Sequence, residues 1–199
     1  MFKKIRIFLT FLVLILISLG LVNCKSGIED SSEPGILRIT LESDQTDTTI
    51  VFVTDTFTVS DRDTFLIEIF QGKVFKDSSY ATLYPRVFLN TEIALRYNLL
   101  MRQNHQYQKL TIFESYVPPL TYDKIRFGMD SYYLKLLGFD KILVQTPPGY
   151  FLTLPVNIEV KENRVTEVNV QVAPFRNVIR YKDTYIFAPD MEVVDVKIL

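Results

Sequence analysis

The sequence predicts an all-β fold, mainly an antiparallel β-sandwich over residues 36–199. Three observations predict it. Apolar and polar residues alternate with a period of two through most of the chain after Gly35. The alternating runs are short and are separated by turn residues, including two Pro-Pro pairs. Only one stretch carries a helical spacing, so a sandwich with at most one short helix in an insert is the economical arrangement. The 199-residue chain is 48% hydrophobic and 13% aromatic, which supports a packed core and argues against a disordered chain.

Residues 1–23 read as an export signal. Lys3, Lys4 and Arg6 form a positive start, residues 7–19 are an almost unbroken apolar run, and Gly20-Leu21-Val22-Asn23-Cys24 closes it. The segment resembles a bacterial lipoprotein signal peptide with Leu21-Val22-Asn23-Cys24 as the lipobox. That resemblance implies that Cys24 carries palmitate-like acyl chains, that the leader is cut before it, and that the mature chain starts there. Asn23 departs from the Gly, Ala or Ser usual at its position. Residues 24–35 are polar and rich in Ser and Gly, as suits a tether holding a domain off a membrane. The competing reading is an uncleaved N-terminal membrane helix, because residues 7–22 approach spanning length. Cleavage leaves 199 − 23 = 176 residues with 19 basic and 23 acidic side chains, a formal charge of −4. Nothing in that balance points to nucleic acid.

The strands follow in order. Leu37, Ile39 and Leu41 alternate with Arg38, Thr40 and Glu42. Residues 50–53 are a β-branched apolar run, and Phe57 and Val59 alternate with threonine and serine. Phe65, Ile67 and Ile69 predict another strand, with Gly72 marking a bulge or bend before Val74 and Phe75. Residues 90–103, with Ile93, Ala94, Leu95, Leu99, Leu100 and Met101, predict a short helix capped by Asn90 or an irregular insert, although they also permit strands. Residues 110–113 and Ile125, Phe127 and Met129 supply two further strands. Pro118-Pro119 and Pro147-Pro148 terminate strands, because proline fixes φ and donates no ladder bond. Val156, Ile158 and Val160, then Val168, Val170 and Val172, flank Glu162-Asn163-Arg164 and predict a hairpin with Asn163 at positive φ. Val194, Val196 and Ile198 make the last strand. Residues 36–199 show no repeat and no second linker, which predicts one domain.

The segment Val117-Pro118-Pro119-Leu120-Thr121-Tyr122-Asp123-Lys124-Ile125-Arg126-Phe127 resembles the turn and strand of bacterial prealbumin-like extracytoplasmic sandwich domains. It is similar to the uncharacterised group DUF 4382 in particular. That group is also similar at Gly35-Ile36-Leu37-Arg38-Ile39-Thr40-Leu41, over 156–172, and at Tyr185-Ile186-Phe187-Ala188-Pro189. The chain departs from it at Leu120, where the group usually has Gly, and over 85–106. The resemblance implies a prealbumin- or immunoglobulin-like sandwich outside the cytoplasm, and no known reaction.

Candidate chemistry is sparse. One Cys excludes an intramolecular disulfide and a cysteine zinc cluster, and one His excludes a multi-histidine metal site. His105 sits in polar Arg102-Gln103-Asn104-His105-Gln106 without a nucleophile-elbow pattern, and reads as an exposed loop residue. With 23 acids, a glycosidase-like carboxylate pair is unavoidable and carries no weight. Asp61-Arg62-Asp63 and Asp44-Gln45-Thr46-Asp47 lack the ligand density of a calcium loop and are expected to be Asx turns. No catalytic residue, metal or cofactor is therefore expected. The aromatics Tyr116, Tyr122, Tyr132, Tyr133, Tyr150 and Phe151 fall near loops and strand starts. Tyr116, Tyr122, Tyr132 and Tyr150 are candidates to stack on a glycan or anchor an envelope protein, with core and edge packing as the alternative. The expectation is a cell-envelope lipoprotein, on the outer membrane in a Gram-negative cell, with a non-catalytic binding or structural role. A periplasm-facing assembly component and a hydrolase stand behind it.

Overall fold

Period-two alternation leaves each strand with one apolar face, and the chain hides these faces by stacking two sheets. The computed structural model describes residues 32–52, 54–85, 96–147 and 149–199, without the side chains of Ser131 and Tyr132. The leader, Cys24 and residues 24–31 of the tether lie outside the described residues.

The strands are β1 (Gly35–Ser43), β2 (Thr49–Phe52), β3 (Asp55–Thr58), β4 (Thr64–Lys76), β5 (Ser79–Leu83), β6 (Arg96–Asn98), β7 (Arg102–Gln103) and β8 (Gln106–Tyr107). They continue with β9 (Leu110–Val117), β10 (Thr121–Lys135), β11 (Val144–Gln145), β12 (Phe151–Glu159), β13 (Val165–Val172), β14 (Val178–Tyr181), β15 (Thr184–Phe187) and β16 (Met191–Ile198). One main sheet runs β16-β13-β1-β9 and the other β12-β10-β4-β5, with β6 also on β4. The fold is all-β and sandwich-like, as expected, and no helix occurs among the described residues. Leu37, Ile39, Leu41, Val168 and Val170 of the first sheet and Ile67, Ile69, Ile125 and Phe127 of the second are buried in one core. Burying each such side chain contributes about 1.5–3 kcal/mol. The rings of Phe113 and Phe127, 6.1 Å apart, join the sheets across it.

Most strand pairs are antiparallel, but β1 pairs with β13 in parallel, and so does β11 with β15. Alternation looks the same in either direction, so only the route of the chain decides. The expected bulge at Gly72 is present. Arg126 pairs with Lys73 while Gly128 pairs with Phe70, which leaves an extra residue in β4, and Gln71 takes φ 54°. A Cβ at Gly72 would lie 2.6 Å from the Phe113 ring, so the glycine admits that ring to the core.

The expected hairpin at 156–172 is corrected. Asn163 does sit at φ 55° in a turn, but β12 pairs with β10 and β13 pairs with β1 and β16. The connection is an arch between the two sheets, tied by the Thr166 hydroxyl donating to Glu159 O at 3.0 Å. A turn reverses the chain in both cases, and the partner strands choose between hairpin and arch. The described part of the expected helical insert is strand and turn: Arg96–Asn98 is β6, and Leu99 and Leu100 are buried in a turn. Asn98 Oδ1 accepts the N–H groups of Phe65 and Leu100, and Leu99 O accepts the Ser43 hydroxyl. Residues 86–95, including Asn90, lie outside the described residues.

Candidate functional site

The alternation that buries Val74, Ile125 and Phe127 turns Lys73, Phe75, Lys124 and Arg126 to the outer face of the β12-β10-β4-β5 sheet. Cross-strand register then sets Arg126 opposite Lys73, Lys124 opposite Phe75, and Phe75 opposite Tyr80. On the far side Gly128 stands opposite Phe151. The Phe70 ring lies where a Gly128 side chain would project, and it meets the Phe151 ring at 5.9 Å. The result is a basic, aromatic ledge.

Each cation on the ledge rests against a ring. Lys73 Nζ is 4.1 Å from the Tyr80 centroid, Arg126 Cζ 4.6 Å from that of Phe151, and Lys124 Nζ 5.3 Å from that of Phe75. Such contacts contribute about 0.5–1 kcal/mol at exposed sites. Lys124 also reaches Asp123 at 3.6 Å. Among the described residues, Lys73 and Arg126 have no carboxylate within ion-pair distance. A groove of about 200 Å³ lies between them, lined by Gln71, Lys73, Phe75, Arg126 and Phe151.

The outer face of the first sheet is built the opposite way. Arg38 has Glu114 opposite it on β9 and Glu167 on β13, at 2.6 and 3.4 Å. The hydrogen bond to Glu114, helped by Glu167, raises the Arg38 pKa. A second cleft, of about 250 Å³, is lined by Asp44, Gln171, Arg176, Asn177, Asp190 and Glu192 among others, and there Arg176 pairs with Asp44 and Asp47.

Tyr116, Tyr122 and Tyr150, the described candidates among the tyrosines singled out in the sequence, sit at separate places. Tyr116 on β9 is 75% exposed. Tyr122 is buried, and its hydroxyl donates to Pro118 O at 2.8 Å, clasping the Pro-Pro turn; burial raises its pKa. Tyr150 packs against the core and donates to Pro189 O at 3.2 Å. Tyr132 belongs to β10, and its side chain lies outside the described residues. His105 is 87% exposed in the β7–β8 turn, with Nδ1 3.9 Å from Asp61. Asp61 faces the Arg102 and His105 side chains rather than forming the expected Asx turn, while Asp44, Asp47 and Asp63 serve the backbone. Asp44 Oδ1 accepts Thr46 N–H in the expected Asx turn, Asp47 accepts Phe175 and Arg176 N–H, and Asp63 accepts Ser60 and Leu137 N–H. Among the described residues, no group of three or more His, Cys, Asp or Glu is placed to hold a metal ion.

Sequence reasoning singled out Phe151 but missed Lys73, Tyr80 and Arg126. The one signal for Lys73 and Arg126 was the spacing of Lys73-x-Phe75 and Lys124-x-Arg126, which puts each pair on a single strand face; Tyr80 carried none. Comparison with protein-family models, curated proteins and solved structures finds no match for the chain.

Proposed function

We propose that this chain is a lipid-anchored bacterial cell-envelope protein whose β-sandwich binds a ligand on the outer face of the β12-β10-β4-β5 sheet and performs no reaction. One observation carries the binding role: Lys73 and Arg126 stand side by side beside exposed rings, without a carboxylate partner among the described residues. Residues placed only for stability would have opposite charges there. The basic start, the apolar run and the lone Cys24 at the end of a lipobox-like sequence support the anchor. Acyl chains contribute about 0.8 kcal/mol per buried methylene, and more than one chain makes the attachment stable. An extracytoplasmic kinship with the DUF 4382 group is part of the same proposal.

The test is intact-mass analysis of the membrane-extracted protein together with protease shaving of whole cells. The expected mature protein begins at Cys24 and carries the mass of acyl chains, whereas Cys24→Ala accumulates unprocessed. A wild-type protein with its leader uncut and its thiol free would refute the anchor. Peptides released from intact cells would favour ligand capture at the surface.

One feature favours a second reading, a periplasm-facing assembly component. On edge strand β16, Val196 and Ile198 point toward the core side yet stay about two-fifths exposed, at 36% and 42%. A half-covered apolar row beside a free sheet edge suits a protein partner. Site-specific crosslinking from position 196 would capture one envelope protein under this reading.

A further inference from the structure

We propose that Lys73 and Arg126 form a clamp for the acid group of an anionic saccharide chain, whose sugar rings rest on Tyr80 and Phe151. This inference rests on the reading of the same sheet face as a binding surface, and adds the class of ligand.

The two main sheets provide an internal comparison. Arg38 on the first has a glutamate opposite it on each neighbouring strand, so its charge is consumed. Arg126 on the second has Lys73 opposite on one side and Thr153 on the other. Like charges directly opposed on adjacent strands repel. The sheet relieves this only by resting each cation on a ring, Lys73 on Tyr80 and Arg126 on Phe151. Ring contact orients a cation without using its N–H donors as an acceptor would, and an anion between the two would offset their repulsion. A guanidinium offers a carboxylate or sulfate a planar pair of donors, and an ammonium adds a point charge. Gln71, raised on the bulge at φ 54°, lines the same groove.

The position on the sheet selects against a peptide. β4 and β10 are interior strands, each hydrogen-bonded on both sides around the clamp, so the face presents side chains and no free backbone ladder. An extended peptide takes much of its affinity from such a ladder. A sugar ring needs only a flat apolar surface and a few polar partners; Phe151, 37% exposed, lines the groove, and Tyr80, 56% exposed, lies next to Lys73. At about 200 Å³ the groove is smaller than whole small-molecule sites, which run about 300–1,000 Å³, and it suits one charged ring of a longer chain. The expected mature charge of −4 also disfavours nucleic acid, which calls for a broad positive field.

The full mature lipoprotein, held in a neutral detergent, would be titrated calorimetrically with five probes. These are a hyaluronan hexasaccharide, a heparin hexasaccharide, neutral cellohexaose, a polyglutamate peptide and an oligothymidylate. Binding is expected for hyaluronan, which carries carboxylates alone, for heparin, which adds sulfates, or for both, and added salt weakens it. Arg126→Gln or Lys73→Gln should reduce the affinity roughly tenfold or more, with Lys161→Gln, on a lysine paired to Glu159 away from the ledge, as the unchanged control. Thermal unfolding checks that the variants fold, and Tyr80→Ala, on an exposed edge-strand residue, provides a second loss of binding independent of charge. Cellohexaose binding as tightly as the acidic sugars, with loss in Tyr80→Ala alone, would keep the face as a binding surface and overturn the clamp. Polyglutamate or oligothymidylate binding as tightly would overturn the saccharide class. No binding by any probe would overturn this inference while leaving the Cys24 anchor to its own test.

Discussion

Asp47→Ala probes how the loop end of the sandwich is held. The Asp47 side chain is buried, and its Oδ2 accepts the N–H of Phe175 at 2.7 Å and of Arg176 at 3.0 Å. Its own carbonyl accepts the Tyr107 hydroxyl at 2.8 Å, a bond the substitution leaves in place. Removing the carboxylate strands two backbone donors. Phe175 is 3% exposed and its N–H cannot reach water unless the loop opens, whereas Arg176 is exposed and can recover a water partner. A buried donor left unpaired costs about 1–3 kcal/mol, and a hydrogen bond to a charged group is worth about 1.5–3 kcal/mol. With one donor lost outright and the other partly rehydrated, the expected destabilisation is about 2–4 kcal/mol. For a domain of this size each kcal/mol moves Tm by about 2–4 °C, so Tm should fall by about 5–15 °C. Urea and thermal unfolding followed by tyrosine fluorescence would measure it, since the chain has 11 tyrosines and no tryptophan. Asp47→Asn retains an acceptor oxygen and should lose about half as much. A loss below about 0.5 kcal/mol for Asp47→Ala, or an equal loss for both variants, would refute the stapling argument.

Four further outcomes are expected. Gly72→Ala drives a methyl group to 2.6 Å from the Phe113 ring and should cost about 1–3 kcal/mol, with Phe113→Leu recovering part of the loss in a double-mutant cycle. Asn163→Ala places a side chain without local hydrogen bonding at φ 55° and should cost about 1 kcal/mol, whereas Asn163→Gly should be nearly neutral by urea titration. Lys73→Gln removes both the repulsion from Arg126 and the contact with the Tyr80 ring, which are of similar size and opposite sign, so stability should change by less than about 0.5 kcal/mol; a loss above about 1 kcal/mol, the full worth of the ring contact, would count against repulsion between the two cations. Stability should also fall in alkali. Burial pushes the Tyr97 phenol up to about 12 and raises that of Tyr107 as well, because desolvation disfavours the phenolate. The folded state holds these protons more tightly than the unfolded chain, so their contribution is complete below about pH 10 and is lost as pH rises through the folded values. For Tyr97 the loss is on the order of 2 kcal/mol. Tyr97→Phe should flatten that part of the pH profile; an unaltered profile would refute the assignment.

Much of the strand content was legible because burial on one face imposes a period of two. Leu37, Ile39 and Leu41, and likewise Val168, Val170 and Val172, are buried as their alternation required. The bulge was readable at Gly72 because a glycine inside a strand marks a bend or a close approach. The insert misled because Leu95 and Leu99 have a helical spacing, yet Ser43 and Phe65 of β4 hold Leu99 in a turn through hydrogen bonds distant in sequence. The Asx turn at Asp44 was local and so was visible; that Asp47 reaches across to Phe175 was not.

The sequence by itself determined the all-β class and which strand side chains face inward. Each of these depends on composition or on neighbours within a few residues. Only the tertiary structure decided that β1 runs parallel to β13, that 156–172 is an arch between sheets, and that Lys73 stands opposite Arg126. Alternation tells a strand which face to bury and says nothing of which strand will lie beside it. Pairing and register come from the packing of the whole core, and the ledge exists only where that packing sets two distant strands side by side.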